Sequence, residues 1–311
     1  MFPRSSGSAK LDASAPLGAR GLGPISMIDF PIIDSHIHLL DQKRFGYAWA
    51  AGAPKLKRDW TVNDLANAAK PYEIEGLVFV EVDVDMPQYL DEAEWVDGLA
   101  ASDKRVMGAV VCLPLEKGAA IEPEMARVAK LKTARGVRRL IQNQPDPEFV
   151  LKPGFLEALR LLPKYNLSFD VCIFHSQAPN TLAMMRQCPE VSFILDHIGK
   201  PGIKAGLLDP WRAHIRAMAA LPNVVCKLSG VTTEADHETW TRDQLRPYID
   251  HVIDCFGPDR ILYGGDWPVS ELAGSYLQWL ATLDLATAGF SPAEKRKLFR
   301  DNAIKAYRLA V

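Results

Sequence analysis

No two cysteines in this chain stand at CxxC spacing. The five thiols, Cys112, Cys172, Cys188, Cys226 and Cys255, are odd in number and widely scattered, so neither a disulfide framework nor a zinc knuckle fits them. Three lie in apolar runs, "VVCLP", "DVCIF" and "VVCKL", where a cysteine is a small core residue of a protein from a reducing compartment. No apolar stretch approaches the roughly 20 residues that cross a bilayer, so no membrane partner is expected. The net charge is only -2, which leaves no basic field to hold nucleic acid. Nor does a GxGxxG fingerprint follow the first apolar run or occur elsewhere, which removes the usual signal of a dinucleotide-binding sheet. These absences point to a cytoplasmic protein whose partner is a small molecule.

Of what is present, 311 residues with 48% apolar and 24% charged side chains suffice for one large core. Residues 1–26 are rich in Ser, Ala, Gly and Pro without helix or strand periodicity. They read as a disordered leader, or as sequence upstream of a start at Met27, with a single domain over residues 27–311. Along that domain, eight β-like runs alternate with helical patterns: "PIIDSHIHLL", "EGLVFVEV", "RVMGAVVCLPL", "RGVRRLIQ", "LSFDVCIFH", "VSFILDHIG", "NVVCKLSG" and "RILYGGDWP". Strands joined by helix-length connections pair in parallel through right-handed crossovers. Eight such units in under 300 residues predict a distorted (β/α)8 TIM barrel, an open doubly wound sheet being the alternative.

A barrel of this kind works at the C-terminal ends of its strands. Chemically capable residues gather there: His36 and His38 in the first run, Glu81 in the second, His175 closing the fifth, His197 in the sixth and Asp266 in the eighth. Strand alternation places Asp34, His36 and His38 on one face. Arg138 and Arg139 in the fourth run must face opposite ways, with strand-end parity favouring Arg138 as the inward one. Lys227, inside "VVCKLSG", reads as a member of an ion pair in the barrel interior. Tyr47 and Trp49 of "RFGYAWAAG", and Trp267 beside Asp266, could offer aromatic faces to a ligand, or could simply pack on the barrel rim. His214, His237 and His251 fall in helical or loop segments. An HxH pair alone is a weak motif, and a lone histidine on an apolar strand is commonly a satisfied core residue. Together with His175, His197 and Asp266, burial without purpose would be too costly in desolvation.

"IIDSHIHLL", "VCIFH", "FILDHIGKP" and "ILYGGDWP", in this order, resemble the amidohydrolase superfamily over about residues 28 to 309, in particular its lactonase branch. The wording of "FVEVDVDMPQYLDEAEWV", "GVRRLIQ" and "DHIGKPGI" is most similar to sugar-acid lactonases of the L-fuconolactone type. The resemblance implies that His36, His38, His175 and Asp266 correspond to ligands of one divalent metal, zinc by donor type, with His197 touching substrate or water. Binuclear members carry a modified lysine at the end of strand four, and the fourth run here has none. The lactonase branch can also work without a metal. The implied reaction is hydrolysis of a sugar-acid lactone, with Asp266 as general base on water and Glu81, Arg138, Tyr47, Trp49 and Trp267 around the substrate. The rivals are a metal-dependent decarboxylase of the same superfamily, a lactonase for a pyrone dicarboxylate, and a binding protein that has lost catalysis. Retention of the whole His and Asp set counts against the last.

Overall fold

The computed structural model describes residues 28–311, so the leader expected over residues 1–26 lies outside the described residues. Each of the eight apolar runs forms a strand: β1 Ile32–Ile37, β2 Ile74–Val80, β3 Val106–Cys112, β4 Ala134–Arg138, β5 Ser168–Val171, β6 Phe193–Leu195, β7 Val224–Leu228 and β8 Ile261–Tyr263. Every strand pairs in parallel with the next, in sequence order. The helices between and after them are α1 Val62–Ala68, α2 Tyr89–Ser102, α3 Glu122–Val128, α4 Pro153–Leu161, α5 Ala178–Gln187, α6 Trp211–Ala219, α7 Arg242–Phe256, α8 Tyr276–Ala286, α9 Pro292–Arg296 and α10 Asn302–Tyr307. Capping boxes start several of them: Thr61 with Asp64 at α1, Ser275 with Gln278 at α8, and Ser291 with Glu294 at α9. This is the (β/α)8 barrel the spacing predicts. No helix among the described residues is long and apolar enough to cross a membrane, and all five cysteines are free.

The barrel closes irregularly, and the irregularity builds the site. Between β8 and β1 the seam is made by the chain just past β8: His38 N donates to Trp267 O (2.8 Å) and Asp266 N to His36 O (2.9 Å), with Ile37 bridged to Trp267. His36 and Asp266 are thereby neighbours across the seam.

Below the site, Ile33, Val78, Val80, Val110, Ile194 and Leu262 form an interior apolar layer, plugged from beneath by Tyr307 and Leu309. The alternate strand residues, Leu77 and Phe79 among them, belong to the larger core between strands and helices. In β1 the alternation breaks. Asp34 pairs with Leu77 and Ile37 with Phe79, three steps on one strand against two on the other, which is a β-bulge. The extra residue reverses the phase. Asp34 therefore faces outward, where it accepts from Gly265 N (2.9 Å) and the Tyr276 hydroxyl of α8 (2.8 Å), while His36 and His38 face inward. The expectation that all three share one face is corrected by this bulge.

A charged layer sits above the apolar one. Lys227 Nζ is fully buried and lies 2.7 Å from Asp170 Oδ2 and 3.0 Å from Asp196 Oδ1, and the Tyr307 hydroxyl donates to Asp170 from below (2.5 Å). This places Lys227 in the interior ion pair that its strand position suggested. Both carboxylates are needed there, because an ammonium stripped of water is tolerated only when its charge and N–H groups are matched.

Candidate active site

Three imidazole nitrogens converge on one carboxylate oxygen. Asp266 Oδ1 lies 3.5 Å from His38 Nε2, 3.8 Å from His36 Nε2 and 3.9 Å from His197 Nε2. Each ring is held from behind. His38 Nδ1 donates to Val80 O (2.8 Å), which leaves the Nε2 lone pair free toward Asp266. His197 Nδ1 hydrogen-bonds Ser229 Oγ (2.9 Å), and the His36 and His197 rings pack at a tilt of 53° with centroids 4.4 Å apart. His36 Nδ1 is 3.2 Å from Lys227 Nζ and 3.3 Å from Asp196 Oδ1, which ties the site to the charged layer beneath it.

The backbone is shaped to permit this crowding. His197 (φ 52°), Lys200 (φ 44°) and Asp266 (φ 51°) all occupy the left-handed region that side chains rarely adopt. At Gly230, with φ +56°, a Cβ would stand 2.4 Å from His197 Nδ1 and 3.0 Å from Asp266 Oδ2, so only glycine lets the end of β7 approach so closely.

Burial and neighbours set the charges. Burial alone would raise the Asp266 carboxyl, but His197, His38 and His36 around it hold it below the ordinary carboxylate range. Burial lowers His197 to about 4, and burial together with Lys227 puts His36 well below its usual value. At neutral pH the cluster is therefore an ionised carboxylate beside neutral His36 and His197.

Above it opens a cavity of about 370 Å³, with His38, His197 and Asp266 on its floor. Arg138 and Lys200 supply positive charge to its wall, Asp83 and Glu234 negative charge, and Gln142 and Asn143 neutral hydrogen-bonding groups.

The other expected site residues divide. Trp49 lines the cavity, with its indole N–H fixed on Val82 O (2.7 Å). Arg138 points inward, and Arg139 pairs outside with Glu116. Glu81 does not line the cavity but is buried behind Arg138, accepting from its Nε (2.5 Å) and from Asp83 N (2.8 Å). Tyr47 is buried in the loop after β1, where its hydroxyl accepts from Asp41 N, and Trp267 packs edge-on against Trp60 at 5.0 Å. Neither ring lines the cavity.

His175 also lies apart from the cluster. β5 ends at Val171, Cys172 takes the inward position, and the chain then turns away, so His175 opens a short helical turn beside Gly202. Residues that the sequence did not single out for the site include Lys200, Glu234, Gln142, Asn143 and Cys172, together with His237, which lines the rim from a loop. Cys172 follows by strand alternation once the structure shows Asp170 facing inward toward Lys227.

The donor set fits one divalent cation. The ligand atoms of His36, His38 and Asp266 lie within 4.8 Å of one another, and His36 Nε2 is fully buried with no hydrogen-bond partner among the described residues. Two imidazoles and a carboxylate suit zinc. A second group, His36, Asp196 and His197, meets the same distance criterion, but Lys227 already neutralises Asp196.

An amidohydrolase family profile matches residues 33–309. The chain belongs to the amidohydrolase family. An L-fucono-1,5-lactonase of Burkholderia multivorans is 32% identical to this amidohydrolase over 292 residues, covering 89% of this chain and 96% of that protein. An L-rhamnono-gamma-lactonase of Scheffersomyces stipitis is 24% identical over 340 residues, covering 91% of this chain and 100% of that protein. A crystal structure of a Burkholderia multivorans amidohydrolase with bound zinc superposes with a TM-score of 0.82 at 30% identity, covering 90% of this chain and 100% of that one.

Proposed function

We propose that this amidohydrolase opens a sugar-acid lactone, L-fuconolactone or a related aldonolactone, to the free acid. The observation that carries the reading is the ionised Asp266 ringed by three imidazoles at the floor of a polar cavity, together with lactonase relatives that span nearly the whole chain.

In this reading Asp266 accepts a proton from a water that attacks the lactone carbonyl. A carboxylate held below its ordinary range is a weak base, but it is fully ionised at neutral pH, and a lactone is an activated ester that asks little of its base. His38, with its Nε2 lone pair directed at the same point, orients the water. His197 faces the ring or leaving oxygen. When the tetrahedral intermediate collapses, the carbonyl re-forms, the ring C–O bond breaks, and Asp266 returns its proton to the departing oxygen. Arg138 stands in the cavity wall with Glu81 behind it: it commits Nε and Nη2 to Glu81 and faces Asp196 with Nη1 (3.5 Å), so it supplies field and shape and has no free fork for a substrate carboxylate. That saturation disfavours a decarboxylase or a pyrone dicarboxylate lactonase, whose anionic substrates call for open arginines. His36, His38 and Asp266 would hold a divalent metal, which supplies Lewis-acid polarisation when bound.

The test is proton release at constant pH from L-fucono-, L-galactono- and L-rhamnono-lactones, before and after chelation. Hydrolysis of at least one above the spontaneous rate is expected, and it should survive chelation because the residues alone provide base and donors. Failure on the whole panel would overturn the reading.

A further inference from the structure

One cation in the cavity wall is not used by the steps above. Lys200 follows the turn at the end of β6, and its side chain is only 15% exposed in the cavity that holds Asp266 and His197. The other inward cations are saturated: Arg138 by Glu81 and Asp196, and Lys227 by Asp170 and Asp196. Lys200 is not. Its nearest carboxylate, Glu234 Oε1, is 3.7 Å away, beyond hydrogen-bond reach, and its other charge contact is the face of Phe174 at 5.5 Å. Burial would favour the neutral amine, but Cys172, Glu234 and Asp266 outweigh it and hold the group above the ordinary lysine range. Its ammonium is mostly buried and its N–H groups have no hydrogen-bond partner among the described residues, which is expensive unless something else fills the cavity and accepts them.

Resting on the lactonase reading, we propose that Lys200 is a catalytic residue whose ammonium donates to the lactone carbonyl oxygen and holds the negative charge that develops there. As water oxygen bonds to the carbonyl carbon, its proton passes to Asp266 and the C=O π pair moves onto the oxygen facing Lys200. When the pair returns, the ring C–O bond breaks and the leaving oxygen takes the proton from Asp266. Lys200 keeps its own proton throughout. His197 is a weaker candidate for this task, because its imidazole is neutral and its Nδ1 is engaged with Ser229. Donors aimed at such an oxyanion typically contribute about 10²–10³-fold in kcat.

The experiment compares the wild type with Lys200→Met and Lys200→Gly on the lactone that the wild type turns over fastest. Glycine suits the left-handed backbone at this position. Lys200→Met is expected to lower kcat by about 10²-fold with a much smaller change in KM and an unchanged melting temperature. Lys200→Gly should regain turnover in proportion to added ethylammonium or propylammonium, a response that a purely structural lysine would not produce. Turnover by the wild type with kcat retained in Lys200→Met would overturn the assignment and leave the lactonase reading standing. So would a loss of kcat that amines fail to relieve. No turnover by the wild type on any lactone would overturn both.

Discussion

Asp266 shares one oxygen among three imidazoles, and the two buried rings His36 and His197 are held neutral beside it. Asp266→Asn keeps the side chain's size and removes its basicity, so kcat should fall by about 10²-fold or more with circular dichroism unchanged. Retention of kcat would remove Asp266 from the chemistry. His197 makes a separate prediction about stability. Its imidazole takes a proton near 6.5 when unfolded and at about 4 when folded. Between those values the unfolded chain binds more protons, so this contribution is intact above 6.5 and is lost as pH falls toward 4. Urea unfolding at about pH 7.5 and about pH 4.5 should show the wild type losing about 2–3 kcal/mol relative to His197→Asn, a variant that tolerates the left-handed backbone. A constant difference would contradict the depressed value. At this scale much was legible in advance: His36, His38, His197 and Asp266 are polar residues at the ends of apolar runs. His175 was misleading because the visible run "DVCIFH" outlasts the strand, which stops at Val171. Lys200 and Glu234 gave no signal, since a charged residue in a loop looks the same whether it faces solvent or a cavity.

At the scale of elements, the seam between β8 and β1 determines the site. Gly264 sits in it, where a Cβ would lie 2.8 Å from His36 Cβ and 2.9 Å from Ser229 Cβ. Gly264→Ala must push the strands apart, and is expected to destabilise by about 1–3 kcal/mol and to lower turnover by displacing His36 from Asp266. Gly289, with open space at its Cβ position, is the control: alanine there should change stability by no more than about 0.5 kcal/mol. Equal effects at the two positions would contradict the seam's role. All eight strands were legible because apolar, β-branched runs between helical patterns have few other uses. The bulge in β1 was not, because nothing in "IIDSHIHLL" itself breaks alternation. It arises from pairing with β2, and it separates Asp34 from the histidines.

For the whole molecule, the interior is layered: apolar at the bottom, ion-paired in the middle, reactive at the top. Lys227 joins the lower two-thirds to the site, since its ammonium touches Asp170, Asp196 and His36 together. Lys227→Met leaves two buried carboxylates without their cation, and should cost about 3–5 kcal/mol by denaturant unfolding. A loss below about 1 kcal/mol would mean that the layer does not depend on it. The barrel class was readable from eight repeats. The layering was not, because it requires knowing that the C-terminal Tyr307 enters from below to reach Asp170.

If the site works as proposed, water adds to a lactone carbonyl there. The most direct measurement is hydrolysis of the fastest aldonolactone in ¹⁸O-enriched water, with mass spectrometry of the product acid. One heavy oxygen is expected in the carboxylate and none in the released hydroxyl; label in the hydroxyl, or no enzymatic incorporation above the spontaneous rate, would rule out water addition at this site.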